Sequence, residues 1–204
     1  MSQSYIAQNV CGLNYTQASV LTETRTRGYG FNIGGTGFPT TLSITGVPNL
    51  YCSSIIKAYL YYGCTYTEAS PPATTATITN PFLSNSTLPA AMVGTTLDDI
   101  CWSGNGSAMY RVDVTAMITG NGNYVVNLNG FANANYEVDG VTLLIIYGDA
   151  TASYSGSIAL YDGDLSNDSG LPESYTAKSF TACGATSGGT AFTLMGDVQG
   201  SASG

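Results

Sequence analysis

The stretch Val141-Thr142-Leu143-Leu144-Ile145-Ile146-Tyr147 decides the fold. It is almost continuously apolar but much shorter than the ~20 residues of a membrane-spanning helix. This pattern is typical of a central strand that is covered on both faces of its sheet. Ile56-Lys57-Ala58-Tyr59-Leu60-Tyr61-Tyr62 is a second, amphipathic strand. Tyr59 and Tyr61 share one of its faces and Tyr62 takes the other. We expect these two strands to anchor the core.

Short strands separated by turn-forming residues continue along the whole chain, and no segment keeps a helical period for three turns. This spacing predicts an all-β protein, an antiparallel β-sandwich with jelly-roll-like connectivity, formed by residues 1–204 as a single domain. A helical turn over Val114–Ile118, with Asp113 as its N-cap and Gly120 after its end, is the one exception. The predicted strands are Ser4–Val10, Ala18–Thr24, Thr40–Thr45, Ile55–Tyr62, Thr74–Thr79, Met109–Asp113, Tyr124–Asn129, Val141–Tyr147, Ser157–Tyr161, Tyr175–Phe180 and Ala191–Met195.

The composition argues against several classes of partner. Charged residues make up 9% of the chain, against ~25% in average globular proteins. The five cations are not clustered, so we expect no nucleic-acid binding. No apolar run is long enough to span a membrane, and the first five residues have neither the basic nor the apolar part of a signal peptide. Surfaces with little charge and many Thr, Asn and Tyr residues suit proteins that pack against their own copies or carry sugars. We therefore expect an extracellular or cell-surface location.

The residue types needed for common catalytic sites are missing. The chain has no histidine, which excludes Ser-His-Asp and Cys-His nucleophile systems. The carboxylate pairs Asp98-Asp99 and Glu137/Asp139 would suit a glycosidase only if two acids faced each other across a cleft. Single acids in turns are far commoner than such pairs. We expect no enzymatic activity.

Oxygen-bearing side chains alternate just after the strand that ends near residue 161. Asp162, Asp164, Ser166 and Asp168 have the spacing with which one loop can surround Ca²⁺, an ion that takes about six to eight oxygen ligands. The alternative is a solvated turn whose Asp and Asn side chains accept bonds from backbone N–H groups. Calcium is the one cofactor that the sequence predicts.

The cysteines give two alternatives. None of them forms a C-x-x-C pair, so a zinc or redox site is not indicated. Disulfides in an oxidising compartment suit the composition, and an odd number leaves one thiol for a bond between chains. Free thiols that act as small buried hydrophobes are the other interpretation. The five candidates are Cys11, Cys52, Cys64, Cys101 and Cys183.

The two ends of the chain carry the candidates for assembly. Residues 1–12 include a short strand with Tyr5 and Ile6, and residues 188–204 include an alternating strand with Phe192 and Leu194 on one face. A terminal strand can complete its own sheet or pair with the open edge of a neighbour. Both outcomes remain open.

Three blocks resemble a known family when they are taken in order. They are Ile56-Lys57-Ala58-Tyr59-Leu60-Tyr61-Tyr62, then Tyr110-Arg111-Val112-Asp113-Val114-Thr115 through Gly120-Asn121-Gly122-Asn123-Tyr124, then Asp139-Gly140-Val141 through Leu160-Tyr161-Asp162-Gly163. The order is similar to that of uncharacterised β-rich domains in large secreted and adhesin-like proteins of bacteria and archaea. Tyr62-Gly63 stands where that family usually has Trp-Ser-Gly. The resemblance implies a fold and a surface location, with no catalytic residues.

These observations favour a non-enzymatic structural protein, a subunit of an extracellular filament, sheath or coat. Its expected partner is a further copy of the chain, and assembly would proceed by strand pairing between neighbours. The alternative is an adhesin or carbohydrate-binding module with glycans as its partner. Exposed tyrosines suit either function, because their rings can stack on sugars or contact a neighbouring subunit. Glycan-binding modules usually have several tryptophans, whereas this chain has only Trp102.

Overall fold

A computed structural model describes residues 2–22, 37–49, 51–97, 105–131 and 136–164 of the chain. The described residues form an all-β protein, which confirms the predicted fold class. Eleven strands and one 3-10 turn follow each other within these described ranges. They are β1 Ser2–Cys11, β2 Asn14–Leu21, β3 Thr40–Ile44, β4 Ser53–Tyr66, β5 Thr75–Thr79, β6 Asn85–Pro89, β7 Ala91–Thr96, β8 Gly106–Asp113, the 3-10 turn Thr115–Met117, β9 Gly122–Asn129, β10 Tyr136–Asp149 and β11 Ser155–Asp162.

The strands pair antiparallel in three sheets. A five-stranded sheet has the order β2-β10-β4-β8-β7, and a four-stranded sheet has the order β3-β9-β5-β6. Residues of both sheets meet in one hydrophobic cluster, so the two sheets form a sandwich. β1 and β11 form a separate two-stranded sheet, which we call the ribbon. The jelly-roll connectivity and the single domain stay predictions.

The strand β10 is covered on both faces, as its apolar sequence predicts. Leu143 and Ile145 point inward, into the cluster between the two large sheets. Leu144 and Ile146 point outward and pack under the ribbon. All four are almost completely buried. Each such side chain contributes about 1.5–3 kcal/mol when it leaves water, so β10 is a principal source of the stability of the fold.

Aromatic side chains fill one end of the inner core. Tyr62 on β4 stacks on Tyr110 of β8 with 5.2 Å between ring centroids, and Phe131 meets both rings edge-on. The Tyr62 hydroxyl lies 3.2 Å from the hydroxyl of Thr74, and Tyr110 donates to the carbonyl oxygen of Pro72 at 2.7 Å. Burial raises the pKa of Tyr62 to about 12. These contacts place large rings in the core without leaving a hydroxyl unpaired.

The helical turn predicted near residues 114–118 is present as the 3-10 turn Thr115–Met117. Asp113 does not occupy the N-cap position, which belongs to Val114. Its carboxylate instead accepts bonds from the backbone N–H of Thr115 at 3.1 Å and from the Thr115 hydroxyl at 2.6 Å. Gly120 follows the turn with a φ of 112°, a backbone conformation that favours glycine.

Two edge strands, β6 and β7, were not expected from the sequence. β6 ends at Pro89, and proline is tolerated on an edge strand because its missing N–H has no ladder partner to lose. β7 contains a register shift between Met92 and Gly94, which interrupts the alternation of side chains. The second strand begins earlier than predicted, at Asn14 and not at Ala18. The predicted strands Tyr175–Phe180 and Ala191–Met195 lie outside the described residues.

Candidate functional site

The outer face of the five-stranded sheet carries tyrosine rings, two ion pairs and a small apolar cluster. Because side chains alternate along β4, Tyr62 enters the inner core while Tyr59 and Tyr61 point toward the ribbon, as the sequence predicts. Tyr59 meets the rings of Tyr5 and Tyr61 edge-on, at 6.2 Å and 5.9 Å between centroids. Tyr5 belongs to β1, so the ribbon is in direct aromatic contact with the sheet.

A small apolar cluster holds the ribbon in place. β1 contributes Ala7, and β11 contributes Leu160; both are buried. They pack on Leu144 and Ile146 of β10 and on Tyr59. We call this the outer cluster. It has far fewer buried members than the cluster between the two large sheets, so the ribbon is held by less apolar burial than the sheets are.

A buried ion pair joins the ribbon to the sheet. Arg111 on β8 binds the carboxylate of Asp162, the last residue of β11. The side chains are 21% and 8% exposed, and the Tyr61 hydroxyl donates to the same carboxylate at 3.4 Å. Burial opposes the positive charge of Arg111, but Asp162 and the nearby tyrosines outweigh it and raise the pKa of Arg111. Burial, with the charge of Asp162, raises the pKa of Tyr61 to about 12. Each charge depends on the other because both are largely removed from water.

A second pair lies beside the first and is more exposed. Lys57 on β4 binds Asp113 with 2.5 Å between Nζ and Oδ2. The Lys57 ammonium lies 5.3 Å from the centroid of the Tyr59 ring, and the Arg111 guanidinium lies 4.8 Å from it. One tyrosine ring therefore contacts two cations, an arrangement that the negative face of the ring stabilises.

The connection from the ribbon to the sandwich is short. Only Gly12 and Leu13 separate β1 from β2, and we call them the hinge. Gly12 has a φ of 57°, and a Cβ there would lie 2.3 Å from the carbonyl oxygen of Asp149. Asn9, near the end of β1, also has a positive φ of 56°. The conformation of Asn9 is unfavourable for a residue with a side chain, whereas Gly12 adopts its own without strain.

The structure brings Asp162 and Asp164 of the calcium prediction into contacts within the protein. Asp162 pairs with Arg111, and Asp164 accepts a bond from the Ser107 hydroxyl at 2.8 Å. Ser166 and Asp168 lie outside the described residues. Among the described residues no three Asp, Glu or Cys side chains converge as a metal site. Calcium stays a prediction.

The cysteines differ in their surroundings. Cys64 is buried in the inner core, whereas Cys11 and Cys52 are exposed and have free thiols. Cys101 and Cys183 lie outside the described residues, so the predicted disulfide stays a prediction. Asp98 and Asp99 also lie outside them.

Two of the predicted assembly residues lie on the ribbon. Tyr5 points toward the sheet and packs against the outer cluster, while Ile6 points away and is 46% exposed. Phe192 and Leu194 lie outside the described residues.

The sequence did not identify Arg111 and Leu160 as residues that hold the ribbon. One signal pointed to Arg111: it and Lys57 are two of only five cations, and both lie on predicted strands beside tyrosines. Nothing in the sequence indicated that Asp162, 51 residues further on, is the partner of Arg111.

Comparison with protein-family models, with curated proteins and with solved structures found no match. The resemblance to secreted β-rich domains therefore stays a prediction. Within the described ranges, no helix has the length and apolar character needed to cross a membrane.

Proposed function

We propose that the protein is a non-enzymatic structural subunit of an extracellular filament, sheath or coat. Copies assemble when β1 of one copy pairs with β11 of the next. The observation that carries this proposal is the ribbon, a separate two-stranded layer whose strand β1 is joined to the sandwich by a two-residue hinge.

β1 is the better candidate for exchange of the two ribbon strands. The covalent chain joins β1 to the sandwich through the hinge alone. By contrast, β11 follows β10 through a short turn and ends at Asp162, which is held by its ion pair with Arg111. Short, strained hinges favour exchange, because the strain is released when the chain extends toward a neighbour. Asn9, a non-glycine residue with a positive φ, supplies that strain.

Exchange would preserve the contacts of β1. The pairing of Ala7 with Ile158 and of Tyr5 with Leu160 can form within one chain or between two. Because an exchanged element makes the same contacts as before, the balance between the two forms depends mainly on hinge strain and protein concentration. Self-association of this kind supports an assembly that extends from copy to copy.

The test removes β1 and supplies it again as a peptide. A protein that lacks residues 1–10 should lose polymer formation, measured by light scattering and electron microscopy, and should bind a peptide of residues 2–10. The peptide with Ala7→Asp should not bind, because it would place a charge in the outer cluster. The matched peptide with Ile6→Asp should bind, because Ile6 faces away from the sheet.

Two results would overturn strand exchange. One is an intact protein that stays monomeric at every concentration, and the other is a truncated, folded protein that polymerises like the intact one. If the truncated protein does not fold alone, the same two substitutions in the full-length chain give the comparison: Ala7→Asp should abolish polymer and Ile6→Asp should retain it.

The alternative, an adhesin or carbohydrate-binding module, is supported by exposed aromatic side chains. Tyr51 is 95% exposed and Tyr154 is 49% exposed. Such rings can stack on sugars. Binding to a glycan array by monomeric protein, lost in Tyr51→Ala, would favour this function over assembly.

A further inference from the structure

The two exposed cysteines lie at the same end of the sandwich. The thiol of Cys11 donates to the carbonyl oxygen of Ala152 at 3.4 Å, and the carbonyl oxygen of Cys52 accepts from the N–H of Ala150 at 2.8 Å. Ala150 and Ala152 belong to the turn that joins β10 to β11. Cysteine is one of the residue types most often buried, so two exposed thiols beside one turn are unusual.

Each thiol has an exposed tyrosine next to it. Tyr51 precedes Cys52 in the chain, and the carbonyl oxygen of Tyr154 accepts from the N–H of Gly12, next to Cys11, at 2.7 Å. We call these four residues, Cys11, Tyr51, Cys52 and Tyr154, the thiol end. Exposed tyrosines supply rigid contact area to a partner at a low cost in side-chain entropy.

The thiol end carries little charge. The segments 10–18, 47–56 and 148–156, which surround it, contain one charged residue, Asp149. The carboxylate of Asp149 accepts bonds from the N–H and hydroxyl of Thr151 at 2.9 Å and 2.6 Å. The cores of protein–protein interfaces are depleted of charge, and a chain with a net charge of −8 repels its copies least where it has little charge.

The end of β10 separates the two cysteines within one chain. The N–H of Asp149 donates to the carbonyl oxygen of Gly12 on one side, while Asp149 pairs with Ser53 on the other. Strands on either side of a third are about 9–10 Å apart, twice the spacing of neighbours. A disulfide needs Cα atoms within about 7 Å. Because Cys11 precedes Gly12 and Cys52 precedes Ser53, we expect a bond between Cys11 and Cys52 of one chain to require the backbone to move.

We propose that the thiol end is a covalent junction between two copies of this chain, with Cys11 of each bonded to Cys52 of the partner subunit. A two-fold axis through the turn after β10, perpendicular both to the strands and to the line from Cys11 to Cys52, sets Cys11 opposite Cys52 of the partner subunit. The closed dimer then has two equivalent disulfides. This junction goes beyond the proposed strand exchange and forms between copies whose own ribbons are closed.

The oxidant is a small disulfide such as oxidised glutathione. One protein thiol loses its proton, and its thiolate attacks that disulfide, forming a mixed disulfide and releasing one glutathione thiolate. The facing thiolate of the second copy then displaces the second glutathione. For each protein disulfide, two protein thiols are oxidised and one glutathione disulfide is reduced to two glutathione thiols, which take up the two protons.

The experiment uses full-length protein with Cys101→Ser and Cys183→Ser, so that Cys11, Cys52 and Cys64 are the remaining cysteines. Monomer isolated under reducing conditions is treated with oxidised glutathione and analysed by non-reducing electrophoresis and peptide mass spectrometry. We expect a covalent dimer with a Cys11–Cys52 cross-link. It should be lost when either Cys11→Ser or Cys52→Ser is added, and it should return when the two single variants are mixed. Cys64→Ser, at a buried position, should leave the dimer unchanged if that variant folds.

Three outcomes would overturn the junction. They are a monomer with an internal Cys11–Cys52 bond, a monomer whose two thiols are both capped by glutathione, and a dimer that persists in either single variant alone. Removal of residues 1–10 leaves both thiols in place, so failure of the peptide-binding test and failure of this one are separate results.

Discussion

The five-stranded sheet is covered on its two faces in different ways. Its inner face meets a whole second sheet through stacked rings and aliphatic side chains such as Leu60 and Leu143, which are fully buried. In the part of the chain that the structure describes, its outer face meets two strands, which are held by a small apolar cluster and by the ion pair between Arg111 and Asp162. Burial of apolar surface scales with area, whereas ion pairs contribute little net stability once their desolvation is counted. We therefore expect the inner interface to determine whether the chain folds, and the outer interface to open while the sandwich stays intact.

A matched pair of leucines gives the largest expected difference between the two faces. Leu143→Ala, in the inner core, should lower the free energy of unfolding of the whole sandwich by about 2–5 kcal/mol, since it leaves a cavity that cannot collapse. Leu160→Ala, in β11, removes the same atoms from the outer cluster and should loosen β1 and β11 while leaving the sandwich transition nearly unchanged. Denaturant titration followed by hydrogen exchange measures both. Equal global destabilisation by the two substitutions would contradict the distinction.

Removal of the buried anion is the next largest expected effect. Asp162→Asn leaves the Arg111 charge without its partner; loss of one partner of a fully buried pair costs about 3–5 kcal/mol, and the partial exposure of Arg111 makes the expected cost smaller. We expect faster hydrogen exchange in the ribbon, with the exchange of β4 and β10 unchanged. Asp149→Asn, at the half-buried last residue of β10, is the control and should leave ribbon exchange unchanged. Unaltered ribbon protection in Asp162→Asn would show that the ion pair does not hold the ribbon.

The exposed pair between Lys57 and Asp113 should have the smallest effect. Burial alone would raise the pKa of Asp113, but the bonds from Lys57 and Thr115 outweigh it and lower that pKa overall. Its contribution is therefore present at neutral pH and is lost as the pH falls through the lowered pKa. Lys57→Met should change the free energy of unfolding by about 0.2–1 kcal/mol at neutral pH and by less in acid, as followed by urea titration at both pH values. A larger change, or one that grows in acid, would contradict this assignment.

The sequence predicted the inner interface better than the outer one. The continuous apolar pattern of Val141–Tyr147 was sufficient to identify a strand covered on both faces, and alternation was sufficient to assign Tyr59 and Tyr62 to opposite faces. The pattern of apolar residues along a single strand indicates which faces of that strand are buried, so a short stretch of sequence is enough to predict the burial of these residues.

The outer interface depends on pairings between distant residues. β1 pairs with β11. Ala7 lies opposite Ile158 in the ribbon, although almost the whole described chain separates the two residues in sequence. The polar neighbours of Asp162 in the sequence predict an oxygen-rich loop. In space, however, its carboxylate binds Arg111. The sequence did not predict the edge strands β6 and β7 for a related reason. An edge strand tolerates proline and bulges, so its sequence resembles that of a loop.

Hydrogen exchange of the wild-type monomer, resolved by peptide, tests the central claim most directly. Local opening has its own free energy, which native-state exchange measures below that of global unfolding. We predict that backbone amides of β1 and β11 exchange through an opening that needs much less denaturant than the opening of β4 and β10. Protection of all four strands that is lost together, in one transition, would contradict a separable ribbon and with it the exchange of β1 between copies.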